Sequence, residues 1–203
     1  MARKTKEDAQ KTREGILEAA SLVFVKKGVA QASLNEIAAE AGVTRGAVYW
    51  HFTSKVDIFT ALHDQLHEPF THAILQDLEK DHPHPLRQLE EICGNLLADL
   101  GRDARKKRLL TIFYLKCDYS GEFEPVLESQ SKQRAENFKL LSRYFERAQS
   151  KGHLPKDADP KILTLSLFCY LTGIVQEYIR YDRCIKLKEQ ASVIMRQFFA
   201  GVN

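Results

Sequence analysis

Long apolar runs are missing from this 203-residue chain. No stretch of about 18 uninterrupted apolar residues occurs, so no membrane span is expected. The opening residues are charged and lack an apolar core, so they do not read as a secretory signal. Cysteine is sparse, and Cys93, Cys117, Cys169 and Cys184 never approach Cys-x-x-Cys spacing. Such scattered cysteines read as reduced, mostly buried thiols in a cytoplasmic protein. Period-two alternation is absent, which argues against strands, and no internal repeat is found. There is no Gly-rich phosphate loop, no Gly-x-Ser-x-Gly and no His-Glu-x-x-His, and no cysteine or serine has a motif-linked base. Catalysis, a bound cofactor and a metal centre are therefore not expected.

Residues 33–55 are the most informative segment. Ser33 and Glu36 have capping-box spacing, each able to satisfy the other's amide at a helix start. Ile37, Ala38 and Ala41 give a small apolar face, and Gly42 supplies a left-handed residue to end the helix. Thr44 then caps a second short helix. Two short helices around a glycine turn form the helix-turn-helix pattern, whose second helix enters the DNA major groove.

At about 100° per residue, Arg45, Gly46, Tyr49 and Trp50 of that second helix share one arc. Val48 and Phe52 lie on the opposite arc and can pack inward. The outer arc combines a guanine-reading cation, two flat aromatics and a glycine that allows close backbone approach. His51 and Lys55, at its edge, suit phosphate oxygens. The charge distribution agrees. Residues 1–55 hold nine Lys/Arg against six Asp/Glu, so the whole net excess of +3 lies at this end, led by the basic arm around Arg3 and Lys4. That is the footprint of phosphate binding.

The remainder reads as helix after helix. A first helix is expected to run to Lys27. Ser54 caps a fourth, with the stripe Val56, Phe59, Leu62, Leu66, Phe70, Ile74 and Leu78, and a kink at Pro69. A fifth carries Leu86 to Leu100. A sixth carries Leu109, Leu110, Phe113, Tyr114 and Cys117. The seventh begins near Pro125. Asp159-Pro160 opens an eighth that is apolar almost all round and therefore expected to be covered on several sides. The last spans about Lys186–Ala200. The fold class is all-α, with about nine helices. One short recognition helix buries too little surface for useful operator affinity, so a homodimer is expected, with the two closing helices pairing as a four-helix bundle.

The segments Ser-Leu-Asn-Glu-Ile-Ala (33–38) and Ala-Gly-Val-Thr-Arg-Gly-Ala-Val-Tyr-Trp-His-Phe (41–52), with Lys55, resemble the DNA-binding domain of the TetR family of bacterial repressors. More narrowly, residues 1–6, Thr12-Arg13 and Leu115-Lys116-Cys117 resemble its AcrR branch, which controls multidrug efflux pumps. The resemblance implies a DNA-binding domain over residues 1–53 and an effector-binding and dimerisation domain over 54–203. It implies contacts to a pseudo-palindromic operator from Arg3, Lys4, Ser33, Thr44, Arg45, Gly46, Tyr49, Trp50, His51 and Lys55. It also implies a small, largely apolar effector inside the body, with Leu66, Phe70, Phe113, Tyr114, Cys117, Gln133, Asn137, Phe168 and Gln176 as lining candidates. The same residues would equally make an ordinary core. A regulator of metabolic or fatty-acid genes, and a helical small-molecule-binding protein without DNA function, are the alternative readings. His63 and His67 have the i,i+4 spacing of a metal pair, but no further ligands are apparent, so they read as solvated or pocket-lining histidines.

Overall fold

The computed structural model describes residues 6–181 and 185–202. Arg3, Lys4 and Cys184 lie outside the described residues. The helices are α1 (Lys6–Lys27), α2 (Leu34–Glu40), α3 (Arg45–His51), α4 (Lys55–Glu79), α5 (Pro85–Arg102), α6 (Ala104–Leu115), α7 (Glu124–Ser150), α8 (Pro160–Arg180) and α9 (Leu187–Ala200), with a 3-10 turn at Gly121–Phe123 before α7. No strand occurs among the described residues. The chain is all-α, as its periodicity requires.

Local chemistry sets the boundaries. The Glu36 amide donates to Ser33 Oγ at 3.3 Å, and the Ser33 amide donates to Glu36 Oε2 at 3.0 Å, completing the capping box of α2. Lys27 also bonds the Glu36 carboxylate. Together, Lys27 first and Ser33 second, they hold the Glu36 pKa down at about 2. Gly42 adopts φ +64° and Gly28 φ +84°, a left-handed backbone that stops α2 and α1. The Asp57 amide donates to Ser54 Oγ at 3.1 Å where α4 begins, and Asp159 accepts from Lys161 and Ile162 at the start of α8.

Packing divides the chain into two compact units, Met1–His67 with Arg108–Glu128, and Glu68–Lys107 with Ser129–Asn203. The first compact unit thus runs past residue 54 into α4. The physical reason is that Ile58, Phe59 and Leu62 of α4 finish the core begun by Ile16, Phe24, Ile37 and Val48. Phe59 is fully buried, its ring edge-on to Phe113 at 5.1 Å and Phe123 at 5.3 Å. α4 passes through Pro69 without ending.

In the second unit α5 lies close on α9. A Cβ on Gly101 would stand 2.3 Å from the Lys188 amide nitrogen, so only glycine permits this approach. The buried Tyr144 hydroxyl donates to Asp77 Oδ2 at 2.9 Å, and Arg147 donates to the Leu78 carbonyl at 2.6 Å, fastening α7 to the end of α4.

Three expectations change. α6 ends at Leu115, leaving Cys117 beyond it, because the Lys116 carbonyl turns to accept the Val29 amide at 2.9 Å. α8 is not covered on several sides within the chain: Ile162 is 58% and Leu165 46% exposed. By length and composition alone, α8 is long and apolar enough to cross a membrane. Cys169 is exposed on that helix rather than buried, while Cys93 is buried and burial pushes its pKa up to about 12.

Candidate nucleic-acid interface

The α2–turn–α3 unit is anchored from beneath. Val48 and Phe52 are buried in the first unit's core with Ile37, and the Arg13 guanidinium of α1 lies 5.1 Å over the Phe52 ring. That inward anchoring turns the other arc of α3 outward. Arg45 and Gly46 are exposed, Tyr49 is 45% exposed and Trp50 72%. So large an exposed indole has no core role, and leaving it in water is unfavourable unless something covers it.

The outward residues are already ordered. Arg45 Nη2 donates to the Tyr49 hydroxyl at 3.1 Å, and the guanidinium lies over the same ring at 5.2 Å. The Trp50 ring meets His51 edge-on at 4.5 Å. A Cβ placed on Gly46 would find only Thr44 Oγ1 at 3.9 Å, so the backbone there is open to a groove wall. Thr44 and Ser33 are exposed, but both hydroxyls also cap helices, Thr44 through the Ala47 amide at 3.1 Å. This surface offers a fork of donors, two aromatic faces and a bare backbone, which suits base edges and phosphates.

Lys55 is placed differently from its expected phosphate role. Its side chain is 19% exposed, and its ammonium donates to the carbonyls of Ala30 at 3.0 Å and Val29 at 3.3 Å. Glu122 Oε1 lies 3.6 Å away. The cation points back into the first unit. Nothing in the local sequence signals this, since the three partners lie 25 or more positions away. The Arg13–Phe52 stack and the Glu18–Arg108 pair are likewise long-range, and the local sequence signals neither.

The effector candidates fall into both units. Leu66, Phe113, Tyr114 and Cys117 belong to the first, where Phe113 is core and Tyr114 is 43% exposed. Phe70, Gln133, Asn137, Phe168 and Gln176 belong to the second. There Asn137 is buried and accepts from Thr71 Oγ1 at 3.0 Å, and Phe168 stacks on Phe138 at 5.8 Å beneath the Arg134 guanidinium. A cavity of about 1010 Å³ lies along α5 and α9, and none of the nine candidates lines it.

His63 and His67 stand with ring centres 4.2 Å apart, and His63 packs edge-on against Phe113 at 5.4 Å. Burial depresses both to about 4, with His63 adding to the effect on His67, so both are neutral at pH 7. Among the described residues no three potential ligands converge on a metal position.

Comparison with known proteins fits this geometry. Residues 16–62 match the family described as bacterial regulatory proteins, tetR family, and residues 84–202 match the C-terminal region of MAATS-type transcriptional repressors. The chain is 34% identical over 179 residues to the HTH-type transcriptional regulator TtgR of Pseudomonas putida, covering 88% of this chain and 85% of that protein. The crystal structure of NalD, the secondary repressor of the MexAB-OprM multidrug efflux pump in Pseudomonas aeruginosa, superposes with a TM-score of 0.86 at 32% identity, covering 97% of this chain and 98% of NalD. SmeT, the repressor of the Stenotrophomonas maltophilia multidrug efflux pump SmeDEF, superposes in its triclosan complex with a TM-score of 0.84 at 30% identity, covering 95% and 91% of the two chains.

Proposed function

The chain belongs to the tetR family of bacterial regulatory proteins, and on that premise we propose that it is a ligand-responsive repressor of a multidrug efflux operon, acting in the cytoplasm. The observation that carries the DNA-binding reading is the exposed Arg45–Tyr49–Trp50 arc on a helix whose other side is buried. Arg45 reads a base edge, Gly46 and Trp50 lie against the groove wall, and Tyr49 orients Arg45. Ser33, Thr44, His51 and the arm residues Arg3 and Lys4 meet the sugar-phosphate backbone. The efflux assignment extends to this chain what the names of NalD and SmeT say of those proteins.

A homodimer supplies the second recognition helix. Ile162 and Leu165 of α8 and Val193 of α9, each 46–60% exposed, support a seam of α8 and α9 covered by a second copy. The effector is small and largely apolar, held in the second unit beside Phe70, Gln133, Asn137, Phe168 and Gln176. Effector occupancy biases α4, whose first half completes the core under α3, so the two recognition helices leave register with successive major grooves.

The test is a fluorescence-anisotropy titration of the full chain against duplexes covering the DNA upstream of its own gene and of the genes flanking it. Salt-resistant preference for one pseudo-palindromic site, relieved by an efflux substrate, is expected. Equal affinity for all duplexes would remove the repressor reading and leave a small-molecule-binding protein.

A further inference from the structure

We propose that Lys55 is a positioning residue for DNA reading, an internal clamp on the α1–α2 turn whose setting depends on Glu122, and not a phosphate contact. The inference rests on the DNA-binding reading above.

The turn from Gly28 to Ala32 leaves α1 through a left-handed glycine, so its carbonyls lose the helical partners that α1 supplies. Lys55 meets that need. An ammonium has three donors, and three acceptors surround this one: the carbonyls of Val29 and Ala30 and the carboxylate of Glu122. The other edge of the turn is held by the Val29 amide, which donates to the Lys116 carbonyl at 2.9 Å. The turn is thus gripped from α4 on one side and from the end of α6 on the other. α2 begins at Leu34, only two residues past the turn, so its setting fixes where α2 and α3 stand against α4.

A phosphate contact asks for the opposite environment. It needs an exposed cation with a free donor and a positive local field. Lys55 is 19% exposed, while Glu122, 57% exposed, stands at its open side and offsets its charge. Moving the ammonium out to a phosphate would strip two carbonyls of a charge-assisted donor. Glu122 lies next to Gly121, whose φ of +61° begins the 3-10 turn before α7. The same pair therefore ties that turn to the DNA-reading helices through one charged contact.

The experiment uses the full chain and a duplex selected for it from a random-sequence library, with affinity measured across a salt series. Lys55→Met keeps the aliphatic stem and removes the donors. It is expected to weaken the selected duplex about tenfold at every salt concentration, with the log–log slope unchanged and non-specific affinity unaltered. A slope reduced by about 0.9, with specific and non-specific binding falling together, would mark a phosphate contact and overturn the proposal. Should Lys55→Met fail to fold, Lys55→Gln replaces it: the amide keeps a donor and removes the charge, so specific affinity is expected to fall with a normal slope. A Gln variant whose slope falls by about 0.9, with specific and non-specific binding falling together, overturns it equally. Glu122→Gln, on an exposed residue, supplies a readout that mere stability would not move. It is expected to change specific affinity about threefold in the parent and not in the Lys55→Met background. The same change in both backgrounds would show that Glu122 acts without Lys55 and would sink the clamp. If the parent chain selects no duplex, the DNA-binding reading itself fails, and this inference falls with it.

Discussion

Arg45 is held against Tyr49 one helical turn away, by a 3.1 Å hydrogen bond to the hydroxyl and by a guanidinium 5.2 Å over the ring. Both residues are exposed, so the contact adds little to folding. Its consequence lies in binding. A free arginine side chain loses rotamer entropy when it docks on a base, and an arginine already stacked loses less. On the proposed reading, in which Arg45 docks on a base, Tyr49 converts part of the docking cost into structure formed beforehand.

Separating the two residues by substitution gives distinct outcomes. Arg45→Ala is expected to cost about 1–3 kcal/mol of operator affinity and to relax preference at one position per half-site. Tyr49→Phe retains the ring and removes the hydroxyl, so a loss below about 1 kcal/mol with preference intact is expected. Anisotropy titrations on single-base operator variants measure both. An Arg45→Ala protein with unaltered specificity would displace base reading from this helix.

The seam can be tested on residues already known to be exposed. A carboxylate at Leu165 or Val193 leaves the protomer's own core untouched, because neither side chain is buried in it. In a dimer each would become a desolvated charge facing its own copy. Leu165→Glu and Val193→Glu are expected to give folded monomers by light scattering, with operator affinity down by more than about tenfold. Dimers of unchanged mass would move the interface elsewhere. Phe198 is a poorer probe, since its ring packs at 5.1 Å on Tyr170 and 5.2 Å on Phe199 within the chain.

Legibility followed range. Capping at Ser33, Thr44 and Ser54 is legible because its partners lie within four residues. The outward arc of α3 was readable because helical period alone separates Arg45 from Val48. The direction of Lys55 is not legible in the local sequence, because it depends on Val29, Ala30 and Glu122, which only tertiary folding brings to it. The effector candidates were not separable from core for a related reason. Phe113 and Phe168 look alike in sequence, yet one closes the first unit's core and the other stacks under Arg134 in the second. Apolar pattern reports that a face is covered, and not what covers it.

Two glycines should respond oppositely to alanine. Gly101→Ala places a Cβ 2.3 Å from the Lys188 backbone nitrogen, and backbone cannot rotate away. A loss of about 1–3 kcal/mol is expected from overpacking α5 against α9. Gly15 lies within α1 with nothing inside 4 Å of its Cβ position. Gly15→Ala is expected to gain roughly 0.5–1 kcal/mol through helix propensity. Urea melts of the two variants beside the parent check the contrast, and similar effects in both would discredit the α5–α9 approach.

Acid should weaken the fold through the histidine pair. His63 and His67 are lowered by burial from 6.5 to about 4. Between those values the unfolded chain binds protons that the folded chain refuses, so stability falls as pH falls through that window and is intact above it. With partial solvent access discounted, the pair is worth on the order of 2 kcal/mol by the bottom of the window. Replacing both by Gln should flatten the stability profile between pH 4 and 6.5. An unchanged profile would mean the rings are hydrated. Glu36, held near 2, acts in a lower range: its contribution to the α2 cap persists down to about 4.5 and is lost as pH falls towards 2.

The proposed switch is tested by reciprocity. Pro69 lies inside α4, two residues past the boundary between the compact units, and its ring denies the helix an amide donor. Pro69→Ala supplies that donor and removes the ring's crowding of the preceding turn, so α4 becomes stiffer at this point. A helix that transmits effector occupancy should then change its resting balance, giving altered operator affinity without ligand and a shifted ligand concentration for release, while fold and oligomeric state hold. Triclosan, seen bound to SmeT, is a suitable probe. Coupling between two sites is a property of the pair, so whatever factor triclosan removes from operator affinity, the operator must remove from triclosan affinity. Calorimetry with and without the duplex measures that factor directly. If triclosan binds, equal affinity in both states would mean that the second unit holds ligand without informing the first, and α4 would be a connector and not a signal.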